Sequence, residues 1–142
     1  MRTGLLHLHS YLPYLFLILL VIGVFKSIIG WSGKKEFTGG DARLSLINLI
    51  LAHIQLLVGL ILLFTAGYFS AGMGEIMKNE DLRFKAIEHP FTMILAVVLI
   101  TIGRSRSKKF NTGVGKHKQI ALFYGLGLAL ILSRIPWSNW LG

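Results

Sequence analysis

Four apolar runs, each long enough to cross a lipid hydrocarbon layer, dominate this chain. They fall at about residues 5–31, 44–69, 82–103 and 119–135, and a membrane-spanning helix needs about 20 such residues. They use more than half of the 142 residues, leaving no room for a separate soluble catalytic domain. Lipid offers backbone polar groups no partner, so each run is expected to be a helix. The predicted fold is all-α: one integral-membrane domain, an up-and-down bundle of four helices.

The ends of the runs carry their own signals. The first is too long for a signal-peptide core, follows only Arg2 as a positive segment, and has no small-residue cleavage site at Ser27-Ile28-Ile29-Gly30, so it reads as a retained helix. Asp41, after Gly39-Gly40, is the expected N-cap of the second run and Asp81 that of the third. The third continues through a kink at Pro90, because a run starting at the proline would be too short to span. The fourth stops at Pro136, with Trp137 and Trp140 as interfacial anchors.

Charge then orients the bundle. Fifteen Lys and Arg against six Asp and Glu give a net charge of +9, which in a soluble chain would suggest nucleic acid. Here the cations lie between apolar runs, so they are read as topology and no nucleic-acid partner is expected. Lys26, Lys34, Lys35 and Arg43, together with Arg104, Arg106, Lys108, Lys109, Lys116 and Lys118, hold most of them. By the positive-inside rule both segments are cytoplasmic. Both termini and the 70–81 loop are then periplasmic, in a multi-pass protein of a bacterial inner membrane.

Zero cysteines exclude disulfides, thiolate metal sites and covalent C-x-x-C-H haem attachment. Any metal or haem must be held by His, Met, Tyr or carboxylate, which turns attention to the histidines. At 100° per residue, Ser27 lies directly above His9 and Gly23 and Gly30 are within about 60° of it, so His9 faces the bundle and His7 faces away. Thr92, Ala96 and Gly103 fall within about 60° of His89, which also faces inward. Ser45, Asn48, Ala52, Gln55 and Gly59 form a polar and small stripe on the second helix, with His53 at its edge, roughly 15 Å deep. Gln55 is expected to bond a neighbouring helix. Ala121, Gly125, Ala129 and Ser133 form a small-residue ladder suited to close packing.

A b-type haem needs only imidazoles on facing helices at equal depth with apolar walls between them. His9 and His89 meet that test: both lie about 6–10 Å into their helices on the outer side. The first and third helices run parallel and would be diagonal in the bundle, leaving the interior between them for the macrocycle. Arg134, Arg83, Lys85, Tyr11 and Tyr68 are candidates to pair with the propionates, Arg134 first because its fork matches a carboxylate. His53 is the candidate for a second haem, although it lies deeper than the outer pair. His117, in the basic segment, reads as solvated or phospholipid-facing. Glu88 is placed to orient the adjacent imidazole or take up a proton. No phosphate loop, dinucleotide fingerprint or H-E-x-x-H motif is present.

Several strings carry a family resemblance. They are Leu5-Leu6-His7-Leu8-His9-Ser10, Ala52-His53-Ile54-Gln55-Leu56-Leu57-Val58-Gly59, Glu88-His89-Pro90, Ile102-Gly103-Arg104-Ser105-Arg106-Ser107-Lys108-Lys109 and Lys116-His117-Lys118. In this order and spacing the chain resembles a group of small bacterial four-helix membrane proteins of cytochrome b-like type. The resemblance implies haem b binding and membrane electron transfer with a quinone or a redox subunit. A further histidine would be expected near Arg104, and its absence counts against an inner haem.

Three readings stand at this point. The first is a membrane cytochrome with at least one bis-His haem near the outer face. The second is a non-enzymatic accessory or scaffold subunit that docks a larger complex or oligomer. The third is a small haem-dependent membrane oxidoreductase of the kind that oxidises protoporphyrinogen, with His9 as ligand and Lys26 or Arg134 contacting an anion.

Overall fold

The computed structural model describes residues 2–135. It is helical throughout, with no strand among those residues. Four long helices, α1 (Arg2–Ser32), α2 (Gly39–Thr65), α5 (His89–Ser107) and α6 (Gly113–Ser133), form the bundle. Two short helices, α3 (Met73–Lys78) and α4 (Glu80–Arg83), lie between α2 and α5. Helix α1 packs on α2 and α6, and α5 packs on the same two. Hence α1 and α5 face each other across the interior, as expected of the first and third runs. Pro136, Trp137 and Trp140 lie outside the described residues.

Three segments, Thr3–Ser32, Gly39–Ala71 and Glu80–Ser107, are long and apolar enough to cross a membrane. Helix α6 is 21 residues long but opens on Lys116-His117-Lys118-Gln119 and is not among these three. The outward faces carry large apolar side chains, including Ile18, Phe25, Leu57, Phe64, Phe91 and Leu126, all more than half exposed. Such faces suit a lipid solvent, where no hydrophobic force drives helices together.

Helix starts differ from the expectation in instructive ways. Helix α2 begins at Gly39, so Gly39-Gly40 is helical and Asp41 is the third helical residue. Thr38 is the N-cap: its hydroxyl accepts from the Asp41 N–H at 3.2 Å while Asp41 accepts from the Thr38 N–H at 2.9 Å. This reciprocal pairing satisfies two orphan donors at once. Asn79, not Asp81, caps α4, accepting from the Leu82 N–H. Helix α6 starts at Gly113 behind the Thr112 cap, six residues before the apolar run. Gly113 permits this start, since a Cβ there would lie 3.0 Å from Glu36 Cα in the preceding connection. Helix α1 ends in a Schellman motif, with Lys35 N–H on the Gly30 carbonyl and Lys34 in the left-handed region at φ 53°.

Pro90 is accommodated by a change of register before it. Residues Phe84–Glu88 form a single π-helical turn joining α4 to α5, and the His89 N–H bonds the Phe84 carbonyl five residues back. A proline cannot donate to the carbonyl four residues earlier, and single π-turns of this kind are frequent at functional sites.

One half of the bundle is tightly filled. Phe16, Leu20, Val24, Ala52, Ala96, Ile100, Ile120 and Tyr124 make its core, and the buried Tyr124 hydroxyl donates to the Ser45 carbonyl at 2.7 Å. The seam of α6 is Ile120, Tyr124, Gly127 and Ile131. The expected ladder is therefore corrected: Ala129 and Ser133 are exposed. The close approach of α5 and α6 uses Gly127 against Ile100 and Gly103 against Phe123 instead. A second small cluster, Leu63, Ile76 and Ala86, anchors α3 to the end of α2.

Candidate functional site

The other half of the bundle holds a half-open cavity of about 700 Å³. Leu17 and Phe16 of α1, Leu56, Leu60 and Leu63 of α2, Met93 and Val97 of α5 and Ile131 of α6 form its apolar walls. His9 and His89 enter it from opposite helices, with ring centroids 6.3 Å apart and planes at 86°. Two imidazoles with one metal ion directly between them, about 2 Å from each, would have centroids roughly 6–6.5 Å apart.

Each ring is held by a neighbouring element. The His89 Nδ1–H donates to the Arg134 backbone carbonyl at 2.7 Å, and the Phe84 ring stacks on its face at 6.0 Å. His9 Nδ1 accepts from Gln55 Nε2 at 2.9 Å, and that nitrogen also donates to the His9 carbonyl at 2.9 Å. Gly59 leaves room for the ring: a Cβ there would lie 3.0 Å from His9 Cε1. Thus three members of the α2 stripe, Ala52, Gln55 and Gly59, line the cavity, and Gln55 bonds a neighbouring helix as expected.

The other candidate residues divide. Tyr11, Tyr68 and Lys85 line the cavity, and Lys85 also pairs with Asp81 at 3.2 Å. Arg83 is occupied by Glu88 at 2.9 Å and by the Met77 carbonyl, so Glu88 orients an arginine and not the imidazole. Arg134 contributes its carbonyl rather than its guanidinium, which turns to the Ser133 carbonyl at 3.1 Å. His53 is exposed on the outer face of α2, its Nδ1 bonded to the Leu49 carbonyl of its own helix. It does not line the cavity. His7 is exposed as expected, with its ring 6.0 Å from that of Tyr11.

His117 requires a correction. It is 2% exposed, inside α6, with Nε2 on the Glu36 carbonyl at 2.9 Å and its ring edge-on to Phe37. It packs directly on Gly30, so its place is the seam between α1 and α6 at the end opposite the cavity. The early start of α6 is the reason: the basic segment is a helical turn and not a solvated loop. Asp41 lies beside it, paired with Lys26 at 3.1 Å.

Among the described residues no group of three or more His, Cys, Asp or Glu side chains is gathered for a metal ion. No protein family, curated protein or solved structure matches the chain.

Some partners could have been found earlier. Pro13, four residues after His9, marks a carbonyl without its helical donor, and Gly59 lies four residues after Gln55 on the same stripe. The Arg134 carbonyl carries no sequence signal, because any residue at that turn supplies one.

Proposed function

We propose that this protein is a four-helix membrane cytochrome that holds one b-type haem between His9 and His89 and exchanges single electrons with a quinol or a partner redox subunit. The observation that carries the reading is the 6.3 Å separation of two imidazoles from diagonal helices across an apolar cavity. The cavity volume of about 700 Å³ falls within the range of about 300–1,000 Å³ common for small-molecule sites. The bound group would supply one-electron chemistry at its iron.

The chain's own part is positioning and exclusion of water. His89 is held by a carbonyl on Nδ1, the usual outer partner of a metal-bound imidazole, which leaves Nε2 as a lone pair. The walls are mostly aliphatic, and Lys85 is the cavity-lining cation for a propionate. On the positive-inside rule, the end with Lys34, Lys35, Lys108 and Lys109 is cytoplasmic. The cavity, the start of α1 and the end of α6 then lie toward the periplasm of a bacterial inner membrane. With His53 turned outward, we assign one haem only. Electrons would therefore enter and leave on one side.

Purification in detergent followed by a reduced-minus-oxidised spectrum tests the reading. A sharp bis-imidazole α-band that is lost in His89→Ala supports it. A colourless protein that takes up no added haem overturns it in favour of the accessory-subunit reading.

A further inference from the structure

Charge is divided unevenly along the bundle. At the end opposite the His9–His89 cavity stand Lys34 and Lys35 after α1, Arg43 in α2 and the cations from Arg104 to Lys118, against only Glu36 and Asp41. Asp41 is already paired with Lys26. Several of these cations have partners on the chain: Arg106 donates to the Gln119 side chain at 2.8 Å, Lys116 to the Ser107 carbonyl at 3.1 Å, and Lys118 lies over the Trp31 ring. Arg104 does not. Its Nε is buried without a hydrogen-bond partner, and no ion pair among the described residues includes it.

Its place on α5 accounts for both facts. At about 100° per residue, Ile100 and Ser107 lie within roughly 60° of Arg104, and both are buried. The arginine stem thus continues the packed seam of α5. Gly103, which faces Phe123 of α6, lies about 100° to one side of Arg104, and Lys108 about 40° to the other. Arg104 and Lys108 are therefore on the flank of α5 turned toward α2, its other neighbour. Leaving a partly buried charge unpaired is costly, and an anion from outside the chain would relieve that cost. The surfaces beside this flank are apolar, with Leu46 and Ile50 of α2 and Ile94 and Val98 of α5 exposed. A cation above exposed aliphatic faces matches an amphiphile with an anionic head.

We propose that the flank of α5 turned toward α2 is a headgroup site for an anionic phospholipid, with Arg104 as the fork that holds the phosphate and Lys108 as a second charge. A guanidinium matches phosphate oxygens two at a time, and basic pockets between membrane helices suit such headgroups. The acyl chains lie along the exposed faces of α2 and α5. The site rests on the membrane reading of the helices and is independent of the haem.

Thermal unfolding in an uncharged detergent, with lipid titrated in, tests the site. Phosphatidylglycerol is expected to raise the midpoint, because a ligand of the folded state stabilises it, whereas phosphatidylcholine and inorganic phosphate at equal concentration should not. Arg104→Gln should raise the half-effect mole fraction of phosphatidylglycerol about tenfold, the loss of a charge-assisted pair. Lys109→Gln removes the same charge from an exposed position and should leave the half-effect within about twofold. Arg104→Lys, which keeps the charge without the fork, should lie between the two and decides the matter if Arg104→Gln does not fold. Equal shifts from phosphatidylcholine or from inorganic phosphate overturn the proposal, as do unchanged half-effects in the Arg104 variants or an equal loss in Lys109→Gln. A protein that stays monodisperse after the detergent is removed overturns the membrane reading and this site with it.

Discussion

The Nδ1–H of His89 donates to the backbone carbonyl of Arg134 across 2.7 Å, joining the first residue of α5 to the residue that ends α6. The last carbonyls of a helix have no partner within it, so this bond satisfies one of them while orienting an imidazole into the cavity. His89→Ala is expected to remove the haem absorbance and to lower stability by about 1 kcal/mol, the net worth of one such bond. Difference spectra and thermal unfolding of the same sample read the two effects separately. Retention of the full band would rule His89 out as a ligand.

Gly59 faces His9 with space for a hydrogen atom and little more. A Cβ would approach Cε1 to 3.0 Å, and the branched side chain of Gly59→Val would force the ring away from its position. We expect haem content to fall severalfold in Gly59→Val and far less in Gly59→Ala, where a shift of a few tenths of an ångström suffices. Similar haem content in both variants would show that the ring does not need this pocket.

At the opposite end, Gly30 and His117 are in direct contact at the α1–α6 seam. Gly30→Ala overpacks that seam, and overpacking costs about 1–3 kcal/mol. The midpoint of thermal unfolding should drop while haem absorbance per folded molecule stays constant. His117→Ala should behave likewise. Loss of the band in either variant would place a cofactor contact at this end.

Lys34 occupies the left-handed position of the Schellman motif that ends α1, at φ 53°. Glycine is the residue without a steric penalty there. Lys34→Gly should raise stability by about 0.5–1 kcal/mol, the strain of roughly 1–2 kcal/mol being partly offset by the looser unfolded chain. Unfolding in detergent with denaturant measures it, and a net loss would show that the side chain makes a contact worth more than the strain.

His53 presents an imidazole to the outer face, tied only to its own helix through Leu49. His53→Leu is expected to leave haem content and spectrum unchanged and to be neutral or slightly stabilising in a lipid-like medium. A changed spectrum would bring His53 back as a ligand.

The covalent pattern by itself determined a good deal. Apolar runs of about 20 residues leave a chain only the helix as a way to satisfy its backbone in lipid, so the four main helices, the diagonal placing of the first and third, and the inward faces of His9 and His89 were legible from spacing alone. The stripe Ser45, Asn48, Ala52, Gln55 was legible for the same reason, because a helix repeats its faces at a fixed angle. What only the tertiary structure decided were matters of contact between segments distant in the chain. Residues 113–118 are helical because α6 starts against the connection after α1, which buried His117. The packed seam of α6 runs through Gly127 rather than the Ala129 and Ser133 ladder, because neighbours, and not residue size, choose which stripe is covered. Arg134 acts through its carbonyl, a group every residue has, and Gln55 reaches the His9 carbonyl that Pro13 leaves without a helical donor. Periodicity tells which way a side chain leaves its helix, but a hydrogen bond needs the second helix in place before its partner, and therefore its proton, is known.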